Sequence, residues 1–293
     1  MVEYEECSSD KRLSQHDMVK DECQVAGSMK DPLVCVSLDG CTVKEVIDEA
    51  ARANLNGADM VEVRFDRLFL IAPETSEQEE GGNRDSRPLL PPESIWEKRS
   101  TSDIDVSEII EELKGGVPLP VVFTCRSTSE GGFYPGDEDE RCSILLEAIN
   151  SEVSYIDLEL SIEEKTRQKL LDAASDSGAK VIASIHGDGI PPVEDIVKLV
   201  SDSSDKGNTI KMCWTTDSQQ ESLKLVEASW EMKGEGHDFT IMGLGPGGDW
   251  TRIHAPVLDQ SLVYATLQND FHLGDRGLVN IKDLRNAWIL LEY

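Results

Sequence analysis

Eight short apolar segments, most of them followed by a stretch with helical periodicity, predict a single-domain α/β protein built as a (β/α)₈ barrel, the TIM-barrel architecture. Three observations carry this reading. The strand-like runs are compact and rich in Val, Ile and Leu, as parallel strands buried on both faces must be. The intervening helices require parallel pairing, because each crossover carries the chain back over the sheet. Eight such units fill about 260 residues of the 293-residue chain, which suits a closed barrel; an open doubly wound sheet is the alternative that periodicity alone leaves standing.

The segments follow in order. "PLVCVSL" (32–38) is a strand, and "TVKEVIDEAARANLNGAD" (42–59) has apolar spacing near 3.6 and an Asn-Gly stop. Further strands are expected at 60–65, 120–125, 154–160, 179–186, 209–214, 239–244 and 261–267. The helices between and after them are expected at 105–116, 139–151, 163–178, 192–207, 218–234, more weakly at 249–258, and at 281–293. Residues 1–30 have no sustained apolar period and read as a disordered extension, which leaves 31–293 as the barrel. Residues 73–94, rich in Glu, Gly, Pro and Ser, read as a flexible surface insertion without a domain boundary.

Composition narrows the function. The formal charge is −29, from 57 acidic and 28 basic residues, which disfavours binding to nucleic acid or to an anionic membrane surface. The aromatic share of 5% offers no stacking platform for single strands. The seven cysteines form no CxxC pair, so neither a zinc site nor a disulfide framework is expected, and no metal or cofactor motif is found. "GLGPGG" (243–248) lacks the GK[ST] ending of a phosphate loop. No apolar run approaches the ~20 residues that span a bilayer, so a reducing cytoplasm is the expected location. A homodimer is compatible with the sequence, although no patch in it establishes one.

In such a barrel, polar residues at the C-terminal ends of strands converge on one face. The strand ends carry Ser37; Glu62, Arg64 and Asp66; Arg126, with Glu130 in the next loop; Glu159; His186; and Lys211, with Arg252 after the seventh strand. Each alone has an ordinary structural account: Lys211 could snorkel, His186 could be a hydrogen-bonded core residue, and Glu62 with Arg64 could form an internal ion pair. Together they bring an amine, an imidazole and several guanidinium groups to one site. A desolvated lysine among cations is poised to attack a ketone or aldehyde and form an imine. A nearby histidine could then move a proton, and convergent arginines could hold a carboxylate. The residues read as Schiff-base lyase chemistry on a small anionic carbonyl compound.

The stretches "VCVSL", "GADMVEVRFD", "VFTCRSTSEGGFYPGDEDER", "YIDLEL", "VIASIHGDG", "TIKM" and "IKDLRNAW", in this order from about residue 33 onward, resemble type I 3-dehydroquinate dehydratase of the shikimate pathway. The resemblance implies a barrel that converts 3-dehydroquinate to 3-dehydroshikimate by syn elimination. It implies that Lys211 forms the Schiff base with the C3 ketone, that His186 takes the C2 proton and protonates the departing C1 hydroxyl, and that Glu130 orients His186. It places Ser37, Glu62, Arg64 and Arg126 around the substrate and Arg252 on its carboxylate, with no cofactor and no metal.

The chain departs from that pattern near its C-terminus. Where the family usually has a loop like "SAPGQ", this chain has "GDRGL" (274–278), so Gly274 and Leu278 stand in place of a serine and a glutamine that contact the substrate. Losing two such bonds to a carboxylate, each worth ~1.5–3 kcal/mol, would weaken binding by one to several orders of magnitude. Arg276 is a cation in the same stretch that could replace them. The expectation is an active dehydratase with this loop rebuilt. The alternatives are a related lyase or aldolase with altered substrate and a catalytically silent acidic binding protein.

Overall fold

Apolar residues on the outer side of each strand, against an inner side that mixes apolar and charged ones, are the pattern that organises this molecule. In the computed structural model, which describes residues 31–73, 92–269 and 272–293, eight strands form one parallel sheet. They are β1 (Leu33–Ser37), β2 (Met60–Arg64), β3 (Val121–Thr124), β4 (Tyr155–Glu159), β5 (Lys180–Asp188), β6 (Thr209–Thr215), β7 (Phe239–Leu244) and β8 (Leu262–Ala265). The ladder order is β8-β1-β2-β3-β4-β5-β6-β7. The helices are α1 (Val43–Leu55), α2 (Val106–Gly116), α3 (Glu138–Asn150), α4 (Glu164–Ser177), α5 (Val193–Asp202), α6 (Gln219–Met232), α7 (Trp250–Ile253) and α8 (Ile281–Leu290). Every expected strand and helix is present, and the weak segment at 249–258 contracts to the single turn of α7.

Helix starts follow from local chemistry. Thr42 caps α1 and Asp137 caps α3, each in a reciprocal capping box with the glutamate three residues on, Glu45 and Glu140. These boxes satisfy backbone N–H groups that the first helical turn leaves without partners.

Strand alternation sorts the side chains. In β2, Val61 and Val63 pack outward with Val46 and Ala50 of α1, while Glu62 turns inward. In β6, Ile210, Met212 and Trp214 join Ile196, Val200 and Leu225 in the strand–helix layer. Cys213 instead shares the barrel interior with Cys35, Met60, Val122 and Tyr264. Period-two geometry therefore puts Lys211 inside, two residues before Cys213 on the same face.

The expected extension, 1–30, and the greater part of the expected insertion, 74–91, lie outside the described residues. Where the chain resumes, Glu97 and Lys98 pair antiparallel with Leu70 and Ile71. Arg99 Nη1 donates to the carbonyls of Leu68 and Leu70, at 2.5 and 2.6 Å. Glu93, within the span expected to be flexible, is held by Arg67 at 2.7 Å. That end of the insertion is anchored because a nearly buried guanidinium, with its own acceptor at Asp39 O, needs a charged partner.

No backbone ladder joins β7 to β8 among the described residues. The seam is closed by Ser261 N–H donating to Phe239 O at 3.0 Å and by the side chain of Gln260. Gln260, 1% exposed, accepts from Ile241 N–H at 3.1 Å and donates to Ile241 O at 3.2 Å, so that its amide takes the role of a strand neighbour. It also accepts from Thr240 Oγ1 and donates to Thr251 O. Gln260→Leu strands these buried partners and should lower unfolding free energy by about 2–4 kcal/mol in a denaturant titration. The exposed Gln168→Ala on α4, which loses a single bond to Asp172, should shift the midpoint little.

Candidate active site

A cavity of about 580 Å³ opens at the C-terminal ends of the strands, with Lys211, Glu62, Arg126, His186 and Arg252 on its walls. Lys211 is 3% exposed, and Nζ lies 3.0 Å from Glu62 Oε1 and 3.2 Å from Asp157 Oδ2. On a third side it sits 4.1 Å from the centroid of the Tyr264 ring, a cation–π contact. The sequence reading set the amine among cations; the structure puts two carboxylates against it and keeps the guanidinium groups one step away.

Those carboxylates are themselves held. Glu62 accepts from Ser37 Oγ at 2.8 Å and from Thr124 Oγ1 at 3.1 Å. Asp157 receives both Nη1 and Nη2 of Arg126, at 3.1 and 2.9 Å, in a bidentate pair, and a short bond from Ser184 Oγ. Arg126 Nη1 also reaches Glu159 Oε1 at 2.9 Å. Burial by itself would raise the pKa of Asp157, but Arg126 and Lys211 outweigh it and hold the carboxyl well below its ordinary range. Glu62 is likewise lowered: burial opposes ionisation, and the neighbouring Lys211 and Arg64 cations prevail.

The histidine is set from β5 and from the loop after β3. Glu130 Oε2 accepts the backbone N–H of His186 at 2.9 Å and lies 3.1 Å from its Nδ1, while Ser161 Oγ donates to Glu130 Oε1 at 2.5 Å. With Nδ1–H directed to the carboxylate, Nε2 is left to accept a proton. Burial, then the Arg126 and Lys211 cations, push the imidazole pKa well below 6.5. The loop bearing Glu130 lies flat on the end of β3: a Cβ on Gly132 would come within 2.0 Å of Arg126 O, so glycine alone fits there.

Arg64 chelates Asp66 through Nε and Nη2, at 2.9 and 2.7 Å, and Asp66 also accepts the N–H groups of Arg126 and Phe133. Arg252, 3% exposed, donates to the carbonyls of Tyr264, Gly243 and Gly248, and among the described residues it forms no ion pair. Asp249 acts on it only through space, so among the described residues its direct partners are all neutral carbonyls.

All eight site residues expected from the sequence, Ser37, Glu62, Arg64, Arg126, Glu130, His186, Lys211 and Arg252, line this one cavity. Arg126 spends its guanidinium mainly on Asp157 and Glu159, so it supports the floor more than it faces open space. Sequence reasoning missed Asp157 and Tyr264. Asp157 had a signal, because in "YIDLE" it shares the inward face with Glu159, two residues on, as Glu62 does with Arg64. Tyr264, alone among apolar neighbours, had none.

Fold and site together define a barrel equipped for amine chemistry on a carbonyl compound, with a histidine to move protons and an arginine to receive an anion. The comparisons agree: residues 34–292 match the family model for type I 3-dehydroquinase, and the chain belongs to that family. It is 25% identical over 232 residues to 3-dehydroquinate dehydratase of Methanosarcina mazei, covering 78% of this chain and 84% of the relative. It is 29% identical over 283 residues to the chloroplastic bifunctional 3-dehydroquinate dehydratase/shikimate dehydrogenase of Arabidopsis thaliana, covering 96% of this chain and 39% of that longer protein. The crystal structure of type I 3-dehydroquinate dehydratase from Clostridium difficile superimposes with a TM-score of 0.72 at 22% identity, covering 90% of this chain and 94% of that one.

The charged floor makes a prediction about acid. With folded pKa values below the ordinary range of about 4, Asp157 and Glu62 bind fewer protons folded than unfolded. Their stabilisation is whole above about pH 4 and drains away as pH falls further. Asp157→Asn should cost about 3 kcal/mol at pH 7, because buried Arg126 and Lys211 each lose a partner, yet it should lose less stability than wild type on going from pH 5 to pH 3. Urea midpoints across that range check both halves.

Proposed function

We propose that this chain is a 3-dehydroquinate dehydratase that converts 3-dehydroquinate to 3-dehydroshikimate and water through a Schiff base on Lys211. The observation that carries the reading is the juxtaposition in one cavity of a buried amine, a carboxylate-held imidazole and a buried arginine that, among the described residues, forms no ion pair. Family membership supplies the substrate class.

In the proposed course, the Arg252 guanidinium, bound among the described residues only to carbonyls, receives the substrate carboxylate. Glu62 and Asp157 hold Nζ of Lys211 at the cavity floor, and the amine sheds a proton to solvent before it attacks the C3 ketone. Water leaves and an iminium forms. Ammonium and iminium carry the same charge, so the carboxylates and the Tyr264 ring that hold the first also hold the second. The iminium draws electrons and acidifies C2–H; His186 Nε2 takes that proton, with Glu130 stabilising the imidazolium. The resulting enamine expels the C1 hydroxyl, which takes the proton back from His186, and hydrolysis frees Lys211. Ser37 and Arg64 line the same cavity, and in this course they contact the hydroxyls of the ring.

The setting proposed for this activity is the cytoplasm. The five cysteines among the described residues are all free thiols, which suits a reducing compartment, and no helix among those residues is long and apolar enough to cross a membrane.

Borohydride added with 3-dehydroquinate should leave a reduced covalent adduct visible by intact mass; Lys211→Ala should form none. An unmodified wild-type protein that also produced no enone absorbance would overturn the reading. His186→Ala should lower kcat by about 10²–10⁴ while the adduct still forms. Because protonated His186 cannot act as base and its pKa is held below 6.5, the acid limb of kcat/KM should lie below pH 6.5.

A further inference from the structure

Arg276 lines the same cavity as Lys211 and Arg252, but it is exposed, at the mouth and not on the floor. It ends the single 3-10 turn Gly274–Arg276, and three contacts fix its place. Its Nη1 donates to Gln268 Oε1 at 2.9 Å, and the other end of that amide, Nε2, donates to Asp39 Oδ2 at 2.7 Å, so both ends of Gln268 are tied. Gly277 follows at φ +70°, and a Cβ there would lie 2.8 Å from Gly245 O and 2.9 Å from Gly243 O. The turn is thus seated directly on the end of β7. Gly243 O is also the acceptor of Arg252 Nη1, at 2.7 Å, so one piece of backbone positions both arginines.

The nearby carboxylates are engaged elsewhere. Glu93 is paired with Arg67, Asp275 with His272, and Asp39 accepts from Gln268. Among the described residues Arg276 forms no ion pair within 4 Å, although its charge contributes to lowering the pKa of Glu93. A chain of formal charge −29 repels an approaching anion, and a cation at the mouth opposes that field locally.

We propose that Arg276, braced by Gln268, is a second carboxylate-binding cation of this site and a determinant of its specificity for small carboxylic-acid anions. The inference rests on the substrate reading above. Arg252 meets the anion from below in a desolvated setting, and Arg276 meets it from the mouth. A neutral analogue gains nothing from the second contact.

The test is steady-state kinetics of Arg276→Ala, Arg276→Lys and Gln268→Leu, together with calorimetric binding of two product analogues, one bearing the carboxylate and one bearing a carboxamide. Arg276→Ala should raise KM about tenfold, with a much smaller fall in kcat and a weaker dependence of KM on salt; Arg276→Lys should recover part of the loss. Gln268→Leu should raise KM in the same sense. The carboxylate analogue should bind about tenfold more weakly to Arg276→Ala, while the carboxamide binds wild type and variant alike. A KM within twofold of wild type, or equal weakening of both analogues, would sink the proposal. If wild type fails to turn over 3-dehydroquinate, the substrate reading falls on its own, and the analogue pair still decides whether Arg276 reads a carboxylate.

Discussion

A primary amine can be buried inside a barrel only if something replaces the water it has lost, and in this molecule that role falls to Asp157 and Glu62. Asp157 stands between two cations, Arg126 and Lys211, and each cation compensates the cost of burying the carboxylate that the other needs. Remove Asp157 and each cation falls back on a single carboxylate, Glu159 for Arg126 and Glu62 for Lys211. The inward faces of β2, β4 and β6 are polar for this reason, against the apolar pattern expected of a buried parallel strand.

The histidine stands slightly apart from this web. Its partner is Glu130, on a loop, and not an acid of the barrel floor. The cations that hold the floor together act on it only through space, and they favour the neutral ring, the form that can accept a proton. One set of charges therefore does two things: it fixes the amine and keeps the base ready. Loop contacts finish the work, with Gly132 letting the Glu130 segment lie against Arg126 O.

Much of this was legible in the sequence because both relevant periods are short. Alternation in "MVEVR" and "TIKMCW" announced which residues enter the barrel, and the 3.6-residue spacing of 42–59 announced the first helix. What escaped is non-local. Nothing along the chain says that Lys211 meets Asp157 and not a cation, since the two are 54 residues apart and meet across the barrel. The stacking of Tyr264 over the amine, the spending of Arg126 on the floor and the closing of the seam by Gln260 are likewise products of strand register, which a linear pattern does not contain.

Closing the seam with one backbone bond and a few side-chain bonds, chiefly those of Gln260, also sets where the barrel can breathe. A backbone ladder shares the work among many bonds and opens only with the whole sheet, whereas the amide of Gln260 can let go by rotating. The strands it joins, β7 and β8, carry Gly243 O and Tyr264 O, both acceptors of the Arg252 guanidinium, and Tyr264 also roofs the amine. An opening of the seam would therefore slacken the anion site and the cover over Lys211 in one motion. The seam without a backbone ladder thus borders both Arg252 and Lys211, and regions held by fewer bonds are where local opening concentrates.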